Sequence, residues 1–123
     1  MKFLVVDDSK SIHNVLYDTL SELNPTFLHA YNGREAVEVV KDSSFDAELI
    51  LLDWEMPQLS CIEALSLLKQ ERPEQIILMM TSKNSLNNII EALDKGANDY
   101  IMKPFTNDIL LGKINTVLGK DLA

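Results

Sequence analysis

With 123 residues, 46% of them apolar, the chain is long enough to bury one core, and we expect residues 1–123 to form a single domain. The net charge of −8 argues against nucleic-acid binding through a basic surface, and the longest apolar stretches stop well short of a membrane span. The single Cys61 excludes an internal disulfide, and no export-signal pattern follows Met1, so we expect a soluble, cytoplasmic protein.

Five apolar runs along the chain have the length of buried strands. They are FLVV (3–6), FLHA (27–30), LILL (49–52), IILMM (76–80) and YIM (100–102). Most are apolar at successive positions rather than at every second one, which is typical of strands covered on both faces.

The first segment with helical spacing, SIHNVLYDTLSEL, lies between the first two runs. Its apolar stripe comprises Ile12, Val15, Leu16, Leu20 and Leu23. The dipeptide Asn24-Pro25 is a stop signal for this helix. The stripe places His13 on or near the polar face, and His29 falls in the second strand, so we interpret both histidines as structural.

Four more helices are predicted: one that opens at Asn32, two over roughly residues 61–71 and 86–95, and one from Thr106 to about Gly119. A capping box of Asn32 with Glu35 opens the first of these helices. The second stops before Pro73, and Gly96 closes the third. Thr106 is the N-cap of the last, which ends near Gly119. Strands that alternate with helices of this size indicate βαβ units with right-handed crossovers. The sequence therefore predicts an α/β fold: a five-stranded parallel sheet with helices on both faces.

Polar side chains follow four of the five predicted strands, at the point where each strand ends. Asp7 and Asp8 follow the first run, Asp53 the third, Thr81 the fourth and Lys103 the fifth. Because the carboxyl ends of parallel strands lie along one edge of a sheet, we expect these side chains to converge on one pocket.

Clustered carboxylates repel one another unless a cation lies among them, and a site of oxygen ligands suits Mg²⁺. A lysine and a threonine hydroxyl nearby can hold a phosphoryl group, and an aspartate can act as the nucleophile that forms an acyl phosphate. Each residue also has a structural interpretation. Asp7 and Asp8 could be acids at a helix start, Thr81 a strand end, and Lys103 a solvated lysine. The combination favours a magnesium-dependent phosphoryl site centred on Asp53.

Four motifs resemble those of the receiver domain of two-component response regulators, most closely the stand-alone chemotaxis type. They are LVVDDS (4–9), LLDWEMP (51–57), MMTS (79–82) and GANDYIMKPF (96–105), in the family's order and spacing. The resemblance implies the flavodoxin-like strand order 2-1-3-4-5.

By this resemblance, Asp53 is the phospho-acceptor, and Mg²⁺ is held by Asp7, Asp8, Asp53 and the backbone carbonyl of Glu55. Thr81 and Lys103 contact the phosphoryl group, and the Lys103-Pro104 bond is cis. Tyr100 matches an aromatic switch that couples Thr81 to the surface of helix four, strand five and helix five. From the residues alone, Tyr100 is better explained as a core or half-buried strand aromatic than as a switch.

The sequence departs from the family at two places. Cys61 stands where the family usually has glycine, and Glu55 is acidic where closer relatives carry an amide. Glu55 could pair with Lys83 across the mouth of the pocket and hinder the water that hydrolyses the acyl phosphate.

The resemblance implies a switch that is phosphorylated by a sensor histidine kinase, acts on a downstream protein such as the flagellar motor or another signalling protein, and dephosphorylates itself. We expect a monomer, no nucleic-acid or membrane partner, and no enzyme in the usual sense, since the protein turns over only itself. We expect a stand-alone regulator, although a receiver cut from a larger protein is the alternative. Two other functions stay open: a small phosphohydrolase or phosphotransferase with an aspartyl intermediate, and a receiver-like binding module that is no longer phosphorylated.

Overall fold

A computed structural model describes residues 2–54, 61–82 and 86–119. The strands are β1 (Lys2–Val6), β2 (Thr26–Ala30), β3 (Leu49–Asp53), β4 (Ile76–Thr81) and β5 (Asp99–Met102). The helices are α1 (Lys10–Leu20), α2 (Gly33–Lys41), α3 (Cys61–Glu71), α4 (Leu86–Asp94) and α5 (Asn107–Leu118). A short 3₁₀ helix, Ser21–Leu23, follows α1.

The five strands form one sheet in the order β2-β1-β3-β4-β5, and every neighbouring pair is parallel. This α/β fold and its strand order confirm the prediction. Four residues of β3, Leu49–Leu52, are fully buried, as the unbroken apolar run predicts. The order places β1 and β3 side by side in the middle of the sheet, so the polar residues that follow them lie next to each other.

Helices cover both faces of the sheet. The α1/α5 cluster, on one face, includes Phe3, Leu51, Met80, Leu16 and Ile114. The α2/α3/α4 cluster, on the other face, includes Leu52, Met79, Ala36, Leu65 and Ala92. No helix within the described ranges has the length and apolar character needed to cross a membrane.

The helix ends follow the predicted signals. Asn32 Oδ1 accepts a hydrogen bond from the Glu35 amide at 2.9 Å, and Thr106 accepts one from the Ile109 amide at 3.3 Å. Gly96 has φ +117°, a conformation that side chains rarely adopt, and an added Cβ would meet the alkyl chain of Lys69 at 2.9 Å. The turn therefore favours glycine at this position, and an added Cβ would also force the Lys69 side chain to move.

The sequence prediction is wrong in part for α1. Val15 was expected on the buried stripe but is 46% exposed, whereas His13, expected on or near the polar face, is only 4% exposed. The buried residues of α1 are His13, Leu16 and Leu20, whose spacing of three and four residues is that of one helix face. The imidazole takes the place of an apolar residue because both of its nitrogens find partners.

Candidate functional site

Two buried carboxylates lie at the ends of the two central strands. Asp53 is the last residue of β3 and Asp7 directly follows β1, and they are 3% and 1% exposed. The Lys103 ammonium, beyond the end of β5, lies 2.7 Å from Asp53 Oδ1 and 2.9 Å from Asp7 Oδ2. The peptide bond that follows Lys103 is cis, as the resemblance implies. Residues far apart in the chain thus meet at one edge of the sheet.

The Lys103 side chain is charged at neutral pH. Burial alone would lower the pKa of its ammonium, but the hydrogen bonds to Asp53 and Asp7, together with their negative charges, raise that pKa above its ordinary value. The ammonium therefore neutralises part of the charge of the two buried acids.

A third carboxylate, Asp8, lies beside this pair on the exposed side. One oxygen from each of Asp7, Asp8 and Asp53 lies within 4.8 Å of the other two. Within the described residues, Lys103 is the cation that bridges two of these three carboxylates. Carboxylate oxygens, one of them open to water, are the ligands that Mg²⁺ prefers in proteins. The donor set therefore fits a hard divalent cation.

Hydrogen bonds hold both the backbone and the side chain of Asp7. Its amide donates to the Ala30 carbonyl of β2 at 3.1 Å, and its Oδ1 accepts from the Ser9 amide at 2.8 Å. Its carbonyl oxygen lies 2.8 Å from Nε2 of His13. Since a carbonyl only accepts, this His13 nitrogen carries the proton. Asp7 is thus fixed from both β2 and α1.

Thr81 ends β4, the strand next to Asp53. Its side chain is 3% exposed, and its carbonyl accepts a hydrogen bond from the Lys103 amide at 2.7 Å. Asp53 pairs in register with Met80, the residue before Thr81, and the Trp54 amide donates to the Met80 carbonyl at 2.7 Å. The ends of β3, β4 and β5 are therefore bonded together in series.

Tyr100 lies in β5, half-buried against the α2/α3/α4 cluster. It pairs with Met79, and Thr81 lies two residues further along β4, so Thr81 and Tyr100 face the same side of the sheet. The Lys113 ammonium is 4.9 Å from the Tyr100 ring centroid and 3.2 Å from both carboxylate oxygens of Asp99. Lys113 of α5 thus contacts the Tyr100 ring.

The geometry of three residues singled out in the sequence is not described. Glu55 and Lys83 lie outside the described residues, as does the side chain of Cys61. The metal contact of the Glu55 carbonyl, the Glu55–Lys83 ion pair and the effect of Cys61 in place of glycine stay predictions.

Sequence reasoning missed two groups near the site. The first is the pair His13 and His29, whose Nδ1 atoms lie 2.7 Å apart. The second is Lys113, which contacts Tyr100. The spacing of His13, Leu16 and Leu20 could have revealed the first, because it places His13 on the buried face of α1. The contact of Lys113 depends on how α5 packs on β5, which no local pattern shows.

Comparisons with known proteins agree with this geometry. The family model described as the response regulator receiver domain matches residues 3–115. The chemotaxis protein CheY1 of Helicobacter pylori is 37% identical over 122 residues, which cover 97% of this chain and 98% of that protein.

Two solved structures have the same fold. The chemotaxis protein CheY4 of Vibrio cholerae superposes with a TM-score of 0.84 and 30% identity, covering 94% of this chain and 97% of that one. A two-component response regulator from Clostridium difficile gives 0.88 and 27% identity, covering 97% and 96%. The chain belongs to the response regulator receiver domain family of two-component signalling and is similar to CheY.

Proposed function

We propose that this receiver is a switch operated by phosphorylation of Asp53. The observation that carries the proposal is the bridge formed by the Lys103 ammonium between the buried carboxylates of Asp7 and Asp53, with Asp8 beside them. Such an arrangement places a cation beside the carboxylate that would act as the nucleophile, where a phosphoryl group would bring more negative charge.

In the proposed reaction, the donor is a phosphohistidine of a sensor kinase. A carboxylate oxygen of Asp53 bonds to phosphorus as the P–N bond of the donor breaks, and the bonding electron pair stays on the imidazole nitrogen. Lys103 then pairs with a phosphoryl oxygen, and the Thr81 hydroxyl donates a hydrogen bond to another. Mg²⁺, when bound by Asp7, Asp8, Asp53 and the Glu55 carbonyl, supplies the further neutralisation that phosphoryl transfer needs.

The output of the switch is the surface formed by α4, β5 and α5. Thr81 and Tyr100 share one face of the sheet, and Tyr100 packs against the cluster that includes Ala92 of α4. A shift of Thr81 toward the phosphoryl group would open space beside Tyr100, and movement of its ring would change how α4 packs. The downstream partner is the flagellar motor or another signalling protein, which binds this surface of the monomer.

Hydrolysis resets the switch. A water oxygen bonds to phosphorus, the P–O bond to Asp53 breaks, and inorganic phosphate leaves while the carboxylate is regenerated. We propose that Glu55 and Lys83 slow this step by pairing across the mouth of the pocket. Dephosphorylation rates of Glu55→Ala and Lys83→Ala that equal the wild-type rate would contradict that role.

Trp54 offers a direct test, because it follows Asp53 in the chain and is half-buried beside the site. Its emission is followed while Mg²⁺ and then a small phosphodonor are added to the wild-type protein and to Asp53→Asn. We expect both additions to change the wild-type emission and the donor to have no effect on the variant.

A donor-dependent change that survives in Asp53→Asn would contradict the assignment of the acceptor. A wild-type protein that responds to neither addition would instead support a binding module that is no longer phosphorylated. Multiple turnover of a small phosphate ester that requires Asp53 would support the phosphohydrolase.

A further inference from the structure

Two histidines that the proposed reaction does not use lie behind the acidic site. His13, on the buried face of α1, has its Nδ1 at 2.7 Å from Nδ1 of His29, in the edge strand β2. Its Nε2 lies 2.8 Å from the carbonyl oxygen of Asp7. The Tyr31 ring lies over His13, with centroids 4.5 Å apart. The two imidazoles therefore form a hydrogen-bonded chain from the sheet edge to Asp7.

The partners of His13 determine its tautomer. The Asp7 carbonyl only accepts a hydrogen bond, so Nε2 of His13 carries the proton and Nδ1 of the neutral ring is an acceptor. His29 must then donate from its own Nδ1. The pair thus presents one fixed donor to Asp7.

This donor, Nε2 of His13, fixes the peptide unit between Asp7 and Asp8. The Asp7 carbonyl and the Asp8 amide belong to one planar unit, so holding the carbonyl sets the plane from which Asp8 begins. The Asp7 amide is meanwhile bonded to Ala30, the residue after His29. The exit of β1 is therefore tied to β2 twice, once through the backbone and once through the two imidazoles.

We propose that His13, oriented by His29, is a positioning residue that holds the Asp7–Asp8 peptide in the geometry required for cation binding. This inference rests on the proposed function, because it assigns His13 a role in assembling that site. His13 touches neither cation nor phosphoryl group, and it acts only through the backbone of Asp7. Partners of this kind, which orient the groups that bind a metal, commonly change metal affinity when they are removed.

Matched substitutions separate positioning from packing. In His13→Gln the side-chain amide keeps one donor for Asp7 and one acceptor for His29, whereas in His13→Met a side chain of similar length keeps neither. Leu20→Ala is the control, because Leu20 is a fully buried residue of the same helix, in the α1/α5 cluster. It should lower stability without touching Asp7.

Mg²⁺ affinity is measured by Trp54 emission and, independently, by the amide shifts of residues 8–10. We expect affinity to fall about tenfold in His13→Met and to stay within about twofold of wild type in His13→Gln. Leu20→Ala should keep the wild-type affinity despite a lower unfolding midpoint. Nitrogen chemical shifts of the wild-type protein should show His13 protonated at Nε2 alone.

Equal affinities of wild type, His13→Gln and His13→Met would overturn the inference while leaving the proposed function intact. Absence of Mg²⁺ binding in the wild-type protein would overturn both. If His13→Met does not fold, the Mg²⁺ affinity of His29→Phe, a substitution at an exposed position, tests the inference instead. We expect its affinity to fall about threefold as His13 loses its orienting partner, and an unchanged affinity would overturn the inference.

Discussion

Lys103 is the residue on which the charge balance of the site depends. Its ammonium bonds to both buried acids, and its raised pKa means that it gives up its proton less readily in the folded chain than in the unfolded one. The stability it supplies is therefore fully present below its unfolded pKa of 10.5 and is lost only as the pH rises through the higher folded value. Around neutral pH the bridge stays intact.

Lys103→Met should remove the ammonium that bridges the two buried carboxylates. We expect the free energy of unfolding in the absence of Mg²⁺ to fall by about 3 kcal/mol, because breaking a buried ion pair leaves uncompensated charge. Adding Mg²⁺ should restore more stability to this variant than to the wild type, since the cation replaces the lost charge. Urea unfolding with and without Mg²⁺ measures both effects.

The exposed Lys95 provides the control for this experiment. Lys95→Met should change stability by less than about 0.5 kcal/mol, with or without Mg²⁺. A Lys103→Met protein that is as stable as this control would show that the bridge contributes nothing to the fold.

His29 makes stability depend on mildly acidic pH. Partial burial lowers the pKa of His29 below 6.5, and repulsion from His13 when both rings are protonated lowers it further, so the unfolded chain binds a proton more readily than the folded one. The stability gained from this group is present above pH 6.5 and is lost as the pH falls through the lowered value. His13 is the titratable group that faces it.

We therefore expect the wild-type protein to lose more stability than His29→Gln between about pH 7.5 and about pH 5.5. Urea midpoints of both proteins at the two values test this difference, because the other titrating groups are common to both. Equal losses would contradict the lowered pKa of His29.

At the scale of single elements, α2 begins with a complete set of capping contacts. Asn32 accepts from the Glu35 amide, and the Glu35 carboxylate accepts in turn from the Tyr31 amide at 3.0 Å. These bonds satisfy amides that a helix start leaves without partners. The helix packs four buried residues, Gly33, Ala36, Val37 and Val40, on the sheet.

Asn32→Ala should lower the free energy of unfolding by about 1 kcal/mol, because the cap of α2 is lost. Thermal or urea unfolding measures the change. Glu38→Ala, on the exposed face of the same helix, should stay within about 0.5 kcal/mol of wild type. Equal stability of the two variants would contradict the role of the cap.

The elements were largely predictable because their signals are local. An unbroken apolar run such as Leu49–Leu52 predicts a buried strand. Asn32 marks a helix start through its side-chain oxygen, and Gly96 marks a helix end through its positive φ. The convergence of Asp7, Asp53 and Lys103 also followed, since parallel strands end on one side of a sheet. His13 was misplaced because its partners, His29 and the Asp7 carbonyl, are contributed by other elements.

At the scale of the whole molecule, the sheet connects the acidic edge to a distant surface. The Trp54 amide, directly after Asp53, donates to the Met80 carbonyl, and the Lys103 amide donates to the Thr81 carbonyl. Tyr100 of β5 packs on the cluster that includes Ala92 of α4. Lys113 holds the Tyr100 ring from α5. We therefore propose that a change at the end of β4 reaches both helices through these packed groups.

We expect phosphorylation to change hydrogen exchange in α4 (Leu86–Asp94) by about fivefold or more, the scale of a typical coupling between two sites. Mass spectrometry of the exchanged amides measures it, with α2 as the internal reference, because α2 packs on β2, at the opposite edge of the sheet from β5. Tyr100→Ala should weaken the response. A response equal in α2 and α4 would contradict a directed output surface.

The central claim is that the Asp53 carboxylate itself receives the phosphoryl group. Wild-type protein is treated with a small phosphodonor and Mg²⁺, then with borohydride, which reduces an acyl phosphate to an alcohol and so converts the aspartate to homoserine. Peptide mass spectrometry then identifies the altered residue. We predict homoserine at position 53 only, and only when Mg²⁺ is present; reduction at Asp7 or Asp8 instead, or labelling that does not need the cation, would contradict the account.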